Sequence, residues 1–395
     1  MAGEHRGWLT LLALGGVIFI QDLACALGKG QGANDAVADA LQATLDDAAP
    51  LVIAPALDAA AAELDAVDAA LAAWEQSGTD AAQAEAQAAF VRLMAAWQRA
   101  ELMQVGPLGT SLDVVGGADL RETIYSWPTI NPCRVDQDTA NGAYAAADFL
   151  DVALTNVKGL DAIEHLLWAP AGENACPSQV DINANGTWDA LGADEITARR
   201  ATYARVAVAG VRAGLEQARS AFGSGGAWDV ALSSAGRSGP YDSAADGLNA
   251  LYDAAFYIES VAKDEKLAEP MGLRDCTADC ALLAESIDSG LSHLHLRENL
   301  AGFRQLWQMG EGSGFDDVLR GLGQDALVAE VEAALTRAET AAAALQQPVD
   351  DAITQNDPAV AALYEAMVEL GRLWKDDVAT ALAMTVPAEA AGDND

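Results

Sequence analysis

Apolar residues recur along most of the chain at three- and four-residue intervals, the spacing of one face of an α-helix. The clearest case runs from Asp80 to Gln104, where Phe90, Leu93 and Trp97 form one stripe. The same spacing predicts further helices over 34–48, 55–76, 144–168 (interrupted near Lys158), 196–222, 242–266, 281–309, 325–345 and 358–384. We therefore predict an all-α protein.

A long polar loop, PAGENACPSQVDINANG, separates the helices into two sets. Each set is long enough to enclose a core of its own, so the simplest architecture is two packed helical bundles. We predict an N-terminal bundle over residues 33–190 and a C-terminal bundle over 191–386. Residues 387–395 are small and acidic, and we expect them to form a tail outside both bundles.

The composition adds a strong acidic bias to this picture. The formal net charge is −37, from 22 Lys+Arg against 59 Asp+Glu. Such a surface repels phosphate backbones and anionic lipid headgroups, so the sequence disfavours nucleic-acid and membrane-surface binding. It attracts cations or basic partners, although an acidic surface can also serve solubility alone.

The N-terminus has the pattern of a signal peptide. The apolar run 8–20 is too short to span a bilayer comfortably and follows Arg6. It is followed by the A-x-A pattern 24–26, so we predict a signal peptide over residues 1–26 and a location in the periplasm or at the outer membrane. Acylation of Cys25 is the alternative, which Asp22 disfavours. No later run is long and apolar enough, so the processed chain is not expected to be transmembrane.

Four cysteines remain after the predicted cleavage, and an even number in an oxidising compartment favours two disulfides. Three pairings are possible. We expect Cys276 and Cys280 to close a small loop, which leaves Cys133 to pair with Cys176. A metal site is the alternative, but it would need thiolates that the periplasm tends to oxidise.

The segment 158–168, KGLDAIEHLLW, carries the strongest candidate chemistry. On a helix, Asp161, Glu164 and His165 share one face at spacings i, i+3 and i+4. Burying such groups is costly unless they are paired or bind a cation. Two carboxylates beside an imidazole could ligate iron, zinc or another divalent metal. The alternative is a buried salt-bridged cluster with Lys158 or with an arginine from another helix.

Glu101 is a second carboxylate in an apolar position. It follows Trp97 by four residues and so extends the stripe of its helix. It could reach across the bundle and complete a site with Asp161 and Glu164. The alternative is an acid at a helix end that turns to solvent before Gly106.

A possible calcium loop follows in the polar linker. Asp181, Asn183, Asn185 and Gly186 match the opening D-x-N-x-N-G, and Asp189 follows. The bidentate acid expected at the twelfth position is missing. The alternative is an Asx-rich turn that leads into the next helix.

Several segments together resemble the imelysin family, also classed as M75 peptidases. They are AWQRAELMQVGP (96–107), YSWPTINPC (125–133), GLDAIEHLLW (159–168), KLAEPMGL (266–273) and AESIDSGLSHLHLRENLAGFRQLW (284–307). They occur in the family's order, and the resemblance that they carry spans most of the processed chain. The resemblance implies an exported protein of two bundle-like helical domains, often encoded beside iron-uptake functions.

The resemblance also implies a metal site at the family signature G-x-H-x-x-E. Gly159 and Glu164 match it, whereas Asp161 stands at the histidine position. Glu101 matches the family's glutamate on the preceding helix, and His165 falls at a variable position. Because aspartate is a harder ligand than imidazole, we favour iron, calcium or magnesium over zinc or copper. Arg297 and Asn299 lie in a matched segment and are candidates for lining the pocket.

The leading functional hypothesis is an exported imelysin-like envelope protein that binds a metal ion, with iron favoured, or a small ligand. The first alternative is an M75-type metallopeptidase. However, Glu164-His165 lacks the second histidine of H-E-x-x-H, and His293 and His295 are spaced i, i+2 and point apart on a helix. The second alternative is a non-catalytic envelope module whose acidic surface docks a protein partner.

Overall fold

The computed structural model describes residues 31–387. The predicted signal peptide, Cys25 and residues 388–395 of the acidic tail lie outside the described residues. Between residues 31 and 387 the regular elements are all helical, which confirms the predicted all-α class. No helix in this range is long and apolar enough to cross a membrane.

Ten α-helices of nine or more residues carry the fold between residues 31 and 387. They are α1 (Gln31–Asp47), α2 (Ala54–Ser77), α3 (Asp80–Ala100), α4 (Pro132–Asn141), α5 (Leu160–Trp168), α6 (Ala193–Phe222), α7 (Ala244–Ala255), α8 (Ser292–Gln308), α9 (Asp325–Ala344) and α10 (Pro358–Arg372).

Shorter helical pieces connect the ten helices. The α-helical ones are Leu120–Ile124, Phe149–Val152, Asp181–Ala184, Thr187–Leu191, Ala227–Ser233, Phe315–Gly321, Val349–Thr354 and Ala379–Leu382. The 3-10 turns are Gly106–Leu108, Ala143–Ala145, Thr155–Val157 and Cys280–Leu283. The π-helical segments are Ala48–Ile53, Ile258–Ala268 and Leu373–Val378.

Local sequence explains how α2 and α3 form a hairpin. Gly78 ends α2 in the left-handed conformation, with φ of 60°, which a glycine adopts without steric cost. Thr79 then caps α3, because its hydroxyl accepts a hydrogen bond from the Ala82 amide. The stripe of Phe90, Leu93 and Trp97 is buried as the sequence predicts.

Two sets of helices pack around a continuous core. In the first set α2 packs against α3 and α6, and α6 also packs against α5. In the second set α9 packs against α10 and α8. Contacts between α3 and α8 join the two sets. The predicted domain boundary at residues 190 and 191 stays a prediction, and α6, which follows it, packs on helices that precede it.

Two predicted helices are shorter than expected. The segment 144–157 forms short turns, and Val152 and Leu154 are largely exposed there, so its apolar spacing does not build a buried face. The predicted helix 281–309 begins only at Ser292. Ser286 and Gly290 both have positive φ, which a continuous right-handed helix cannot include.

Both predicted disulfides are present. Cys133 bonds to Cys176 and thereby ties the start of α4 to the polar linker. Cys276 bonds to Cys280 and closes the small loop before α8. The pairing expected from sequence is confirmed.

Candidate functional site

Helix α5 presents the signature acids from a buried position. Gly159 is its N-cap, and a Cβ atom there would lie 2.7 Å from Asp161 Oδ1 and 3.0 Å from the Ile124 carbonyl oxygen. A side chain at residue 159 would therefore displace the Asp161 carboxylate or the backbone. The signature glycine is explained by this close approach, since its own φ of −91° is open to any residue.

The Asp161 carboxylate is held by hydrogen bonds from two directions. The Ser126 hydroxyl donates to Oδ2, and the Ala162 amide donates to Oδ1 at 3.0 Å. Burial raises the pKa of Asp161 to about 6, although these donors and the more distant Arg121 act in the opposite sense. Ionising the Asp161 carboxyl group is therefore less favourable in the folded chain than it is in water.

The Glu164 carboxylate is held by the loop that precedes α8. Its Oε2 accepts from the Ser286 hydroxyl at 2.8 Å. Its Oε1 accepts from the Ser289 amide at 3.2 Å and from the Ser289 hydroxyl at 2.8 Å. Burial raises the pKa of Glu164 to about 7, while His295 and the two serines partly oppose the shift.

We call Asp161 and Glu164 the acid pair. Within residues 31–387 neither carboxylate forms a salt bridge, and the groups that donate hydrogen bonds to them are neutral serine hydroxyls and backbone amides. The nearest cationic influences, Arg121 and His295, act on them only at longer range. Two buried carboxylates without a paired cation are costly when ionised, so a bound cation would stabilise them.

Glu101 belongs to a different set of contacts. Its Oε1 accepts from Arg121 Nη2 at 2.5 Å and Nε at 3.1 Å, and its Oε2 lies 3.6 Å from Lys266 Nζ. Across residues 31–387 no group of three or more His, Cys, Asp or Glu side chains is arranged to hold a metal ion. A ligand set of Glu101, Asp161 and Glu164 stays a prediction.

His165 lies in a buried ion-pair cluster. Its Nδ1 is 2.7 Å from Asp288 Oδ2, and its Nε2 is 3.2 Å from Asp136 Oδ2. Arg200 from α6 also contacts Asp136, at 3.3 Å. The two aspartates more than offset burial and raise the pKa of His165 to about 9. Both ring nitrogens therefore contact aspartate carboxylates. This arrangement matches the alternative interpretation of the segment, a buried salt-bridged cluster with an arginine from another helix.

The two pocket candidates have different surroundings. Arg297 donates to the backbone carbonyls of Ala342 (2.9 Å) and Leu345, so it caps the C-terminal end of α9. Asn299 is fully buried, and its Nδ2 donates to the Gln98 side-chain oxygen at 2.8 Å. Of the two, Asn299 lies in the polar interior between the bundles.

Most of that polar interior was not predicted from the sequence. Lys266, Glu285 and His295 are each 1% exposed, and Lys266 and His295 both lie at ion-pair distance from Glu285. Lys266 and His295 oppose the effect of burial and hold the pKa of Glu285 below its usual range. The signal was present, because all three residues lie in the segments that carry the family resemblance.

The predicted calcium loop forms two short helices. Asp181 begins Asp181–Ala184, and Asn185 and Gly186 lead into Thr187–Leu191. The Asn183 amide donates to Asn174 Oδ1 at 3.0 Å and to the Cys176 carbonyl at 2.8 Å. Asn183 thus stabilises the linker near the Cys133–Cys176 disulfide. These contacts agree with the alternative interpretation of the segment, an Asx-rich turn that leads into the next helix. Calcium binding by Asp181, Asn183, Asn185 and Asp189 stays a prediction.

The family model described as Imelysin, Peptidase_M75, matches residues 53–373. This chain belongs to the imelysin family. The resemblance read from the five segments is confirmed.

Two solved structures share its fold. A protein named as an iron-regulated protein A precursor from Parabacteroides distasonis superimposes with a TM-score of 0.67, at 14% identity, over 87% of this chain and 95% of that one. An imelysin-like protein from Psychrobacter arcticum gives a TM-score of 0.65, at 17% identity, over 89% of this chain and 98% of that one. None of the curated proteins matches the chain.

Proposed function

We propose that this imelysin-family protein is exported to the cell envelope and binds a small cation, with iron favoured, at the acid pair Asp161 and Glu164. The observation that carries the proposal is the burial of both carboxylates without a salt bridge within residues 31–387. A cation between or beside them would replace the electrostatic stabilisation that both lost on leaving water.

The donor atoms around the acid pair suit a hard metal ion. Besides the two carboxylates, the hydroxyls of Ser126, Ser286 and Ser289 face the pair, so the available ligands are all oxygen. Oxygen donors favour hard cations over zinc or copper, which prefer nitrogen and sulfur. Glu101 does not fit this set because Arg121 already neutralises it.

Two further observations support the cellular setting. One structural neighbour is named as an iron-regulated protein, which supports a role in iron uptake. The two disulfides support export, since such bonds persist in oxidising compartments.

The test is elemental analysis of the full chain, purified from the periplasm without chelator, beside Asp161→Asn and Glu164→Gln. We expect about one iron or other metal ion per chain in the wild type and none in either variant. Exposed Glu216 supplies the matched control, Glu216→Gln, which should retain the metal. Metal that survives both changes but is lost in Asp181→Asn would place the site in the linker instead.

Stability provides an independent readout of the same variants. At pH 8 Glu164 is ionised, since its folded-state pKa is about 7, and the raised pKa means that ionisation costs the folded chain more than the unfolded chain. Metal-free Glu164→Gln should therefore unfold at a higher urea concentration than the wild type at this pH. The gain is up to about 3 kcal/mol, from 1.4 kcal/mol per pKa unit. A variant that loses both metal and stability would indicate general misfolding and contradict the assignment.

A further inference from the structure

A second group of buried polar side chains surrounds Lys266, on the π-helical segment Ile258–Ala268 between the two sets of helices. The Lys266 side chain is almost fully buried. Burying an ammonium group is strongly unfavourable unless other groups replace the water that it loses. Its contacts therefore show what replaces that water.

Four side-chain oxygens surround Lys266 Nζ. Two are amide oxygens, Gln98 Oε1 at 2.7 Å and Asn299 Oδ1 at 3.1 Å. Two belong to carboxylates, Glu285 Oε2 at 3.0 Å and Glu101 Oε2 at 3.6 Å. These residues come from α3, from its C-terminal end, from the loop before α8 and from α8 itself, so the cation joins elements of both halves.

Two aromatic rings complete the surroundings. Nζ lies 5.6 Å from the centre of the Trp127 ring and 5.3 Å from that of Tyr257. Aromatic faces attract cations, and they do so most effectively where water is excluded. Carboxylates and amides combined with aromatic faces suit an ammonium group better than a bare metal ion.

In both Glu101 and Glu285, one carboxylate oxygen accepts hydrogen bonds from other side chains and the other faces the Lys266 ammonium group. Oε1 of Glu101 accepts from Arg121, and Oε1 of Glu285 accepts from Gln98 and Tyr125. The Oε2 atoms of both glutamates are buried. Both Oε2 atoms face Lys266 at ion-pair distance, and His295 Nδ1 lies 3.1 Å from the same Glu285 atom.

We propose that Gln98, Glu101, Glu285 and Asn299 form a second cation site, the ammonium cage, which the chain fills with its own Lys266. The site is selective for a primary ammonium group. Its consequence for binding rests on the proposed function: because Lys266 occupies the cage, the cage takes up no external cation in addition to the one at the acid pair.

The test uses Lys266→Ala in a chain that also carries Asp161→Asn and Glu164→Gln, so that the acid pair cannot contribute. The substitution removes three carbons and the ammonium group, which n-propylammonium replaces atom for atom. Titrated into the variant in a calorimeter, n-propylammonium should bind at one per chain. Added during refolding, it should raise the melting temperature saturably. The uncharged n-propanol should do neither, and Lys266→Met, which fills the space without a charge, should not respond.

A measurement on the unsubstituted chain covers the case in which Lys266→Ala does not fold. In nitrogen-15 NMR, the Lys266 ammonium protons, assigned by their loss in Lys266→Met, should exchange with water far more slowly than those of an exposed lysine. Exchange as fast as at an exposed lysine, or equal stabilisation of Lys266→Ala by n-propanol, would overturn the cage. Metal loss in Glu164→Gln tests the proposed function separately, because it does not involve Lys266.

Discussion

Single residues decide whether the signature acids reach their positions. Gly159 lies against the Ile124 backbone, and Asp161 occupies the space that a side chain at residue 159 would need. The sequence showed that a glycine stands there, but the reason for it depends on a backbone thirty-five residues earlier in the chain, at Ile124. Periodicity could therefore identify α5 without explaining the glycine at its N-cap.

The residue-scale prediction concerns Gly159→Ala. The new methyl group would overlap Asp161 Oδ1 and the Ile124 carbonyl, so we expect a loss of about 1–3 kcal/mol in unfolding free energy, typical of overpacking. Cation affinity should fall as well, because Asp161 is displaced. Urea denaturation and metal titration measure the two effects.

Gly172→Ala is the matched control for this change. Nothing lies within 4 Å of a Cβ built at Gly172, so its unfolding free energy should change by less than about 0.5 kcal/mol. Equal effects of the two substitutions would show that the contacts at Gly159 are unimportant.

At the scale of elements, His165 joins three of them. It lies on α5, its partner Asp136 lies on α4, and Asp288 lies in the loop that also holds Glu164. The sequence placed His165 beside the acid pair, whereas the structure turns it toward two aspartates. Helical spacing could not predict this, since neither aspartate is near His165 in sequence.

The element-scale prediction is a loss of stability at alkaline pH. The folded-state pKa of His165 is about 9, above an unfolded value of about 6.5. The folded chain thus holds this proton more tightly, and the resulting stability is complete below about pH 6.5 and is lost as the pH rises through 9. In metal-free protein, the unfolding free energy measured with urea should fall with rising pH, and His165→Asn should reduce this fall by up to about 3 kcal/mol.

His293 provides the control for the pH experiment. Burial and the nearby Arg297 lower its pKa to about 4, so it is already neutral in the folded chain over the alkaline range. His293→Gln should therefore retain the wild-type decline between pH 6.5 and 9. An unchanged decline in His165→Asn would show that another group is responsible.

At the scale of the whole molecule, the two disulfides constrain very different lengths of chain. Cys133 and Cys176 are separated by 43 residues, and Cys276 and Cys280 by 4. A cross-link stabilises mainly by restricting the unfolded chain, and longer loops gain more. Both pairings followed from cysteine spacing in the sequence, since the close pair left only one partner for each remaining cysteine.

The corresponding prediction compares two double variants. Cys133→Ser with Cys176→Ser should lower the unfolding free energy by roughly 4 kcal/mol, and Cys276→Ser with Cys280→Ser by roughly 2 kcal/mol, from loop-closure entropy. Chemical denaturation of both proteins beside the wild type measures the difference. A larger loss for the short loop would mean that native contacts around it, and not chain entropy, dominate.

The sequence by itself determined the all-α class, the positions of most long helices and both disulfides, because these follow from local periodicity, composition and spacing. The family followed from the resemblance of five segments to imelysin sequences. The sequence also showed that three carboxylates and one imidazole lie in apolar stretches of helix, namely Glu101, Asp161, Glu164 and His165. Only the tertiary structure decided their partners. Lys266 meets a glutamine 168 positions away, and Glu164 meets a serine 122 positions away. Helical spacing fixes which face a charge lies on, but the groups that contact and stabilise that charge come from whichever distant segment folds against that face.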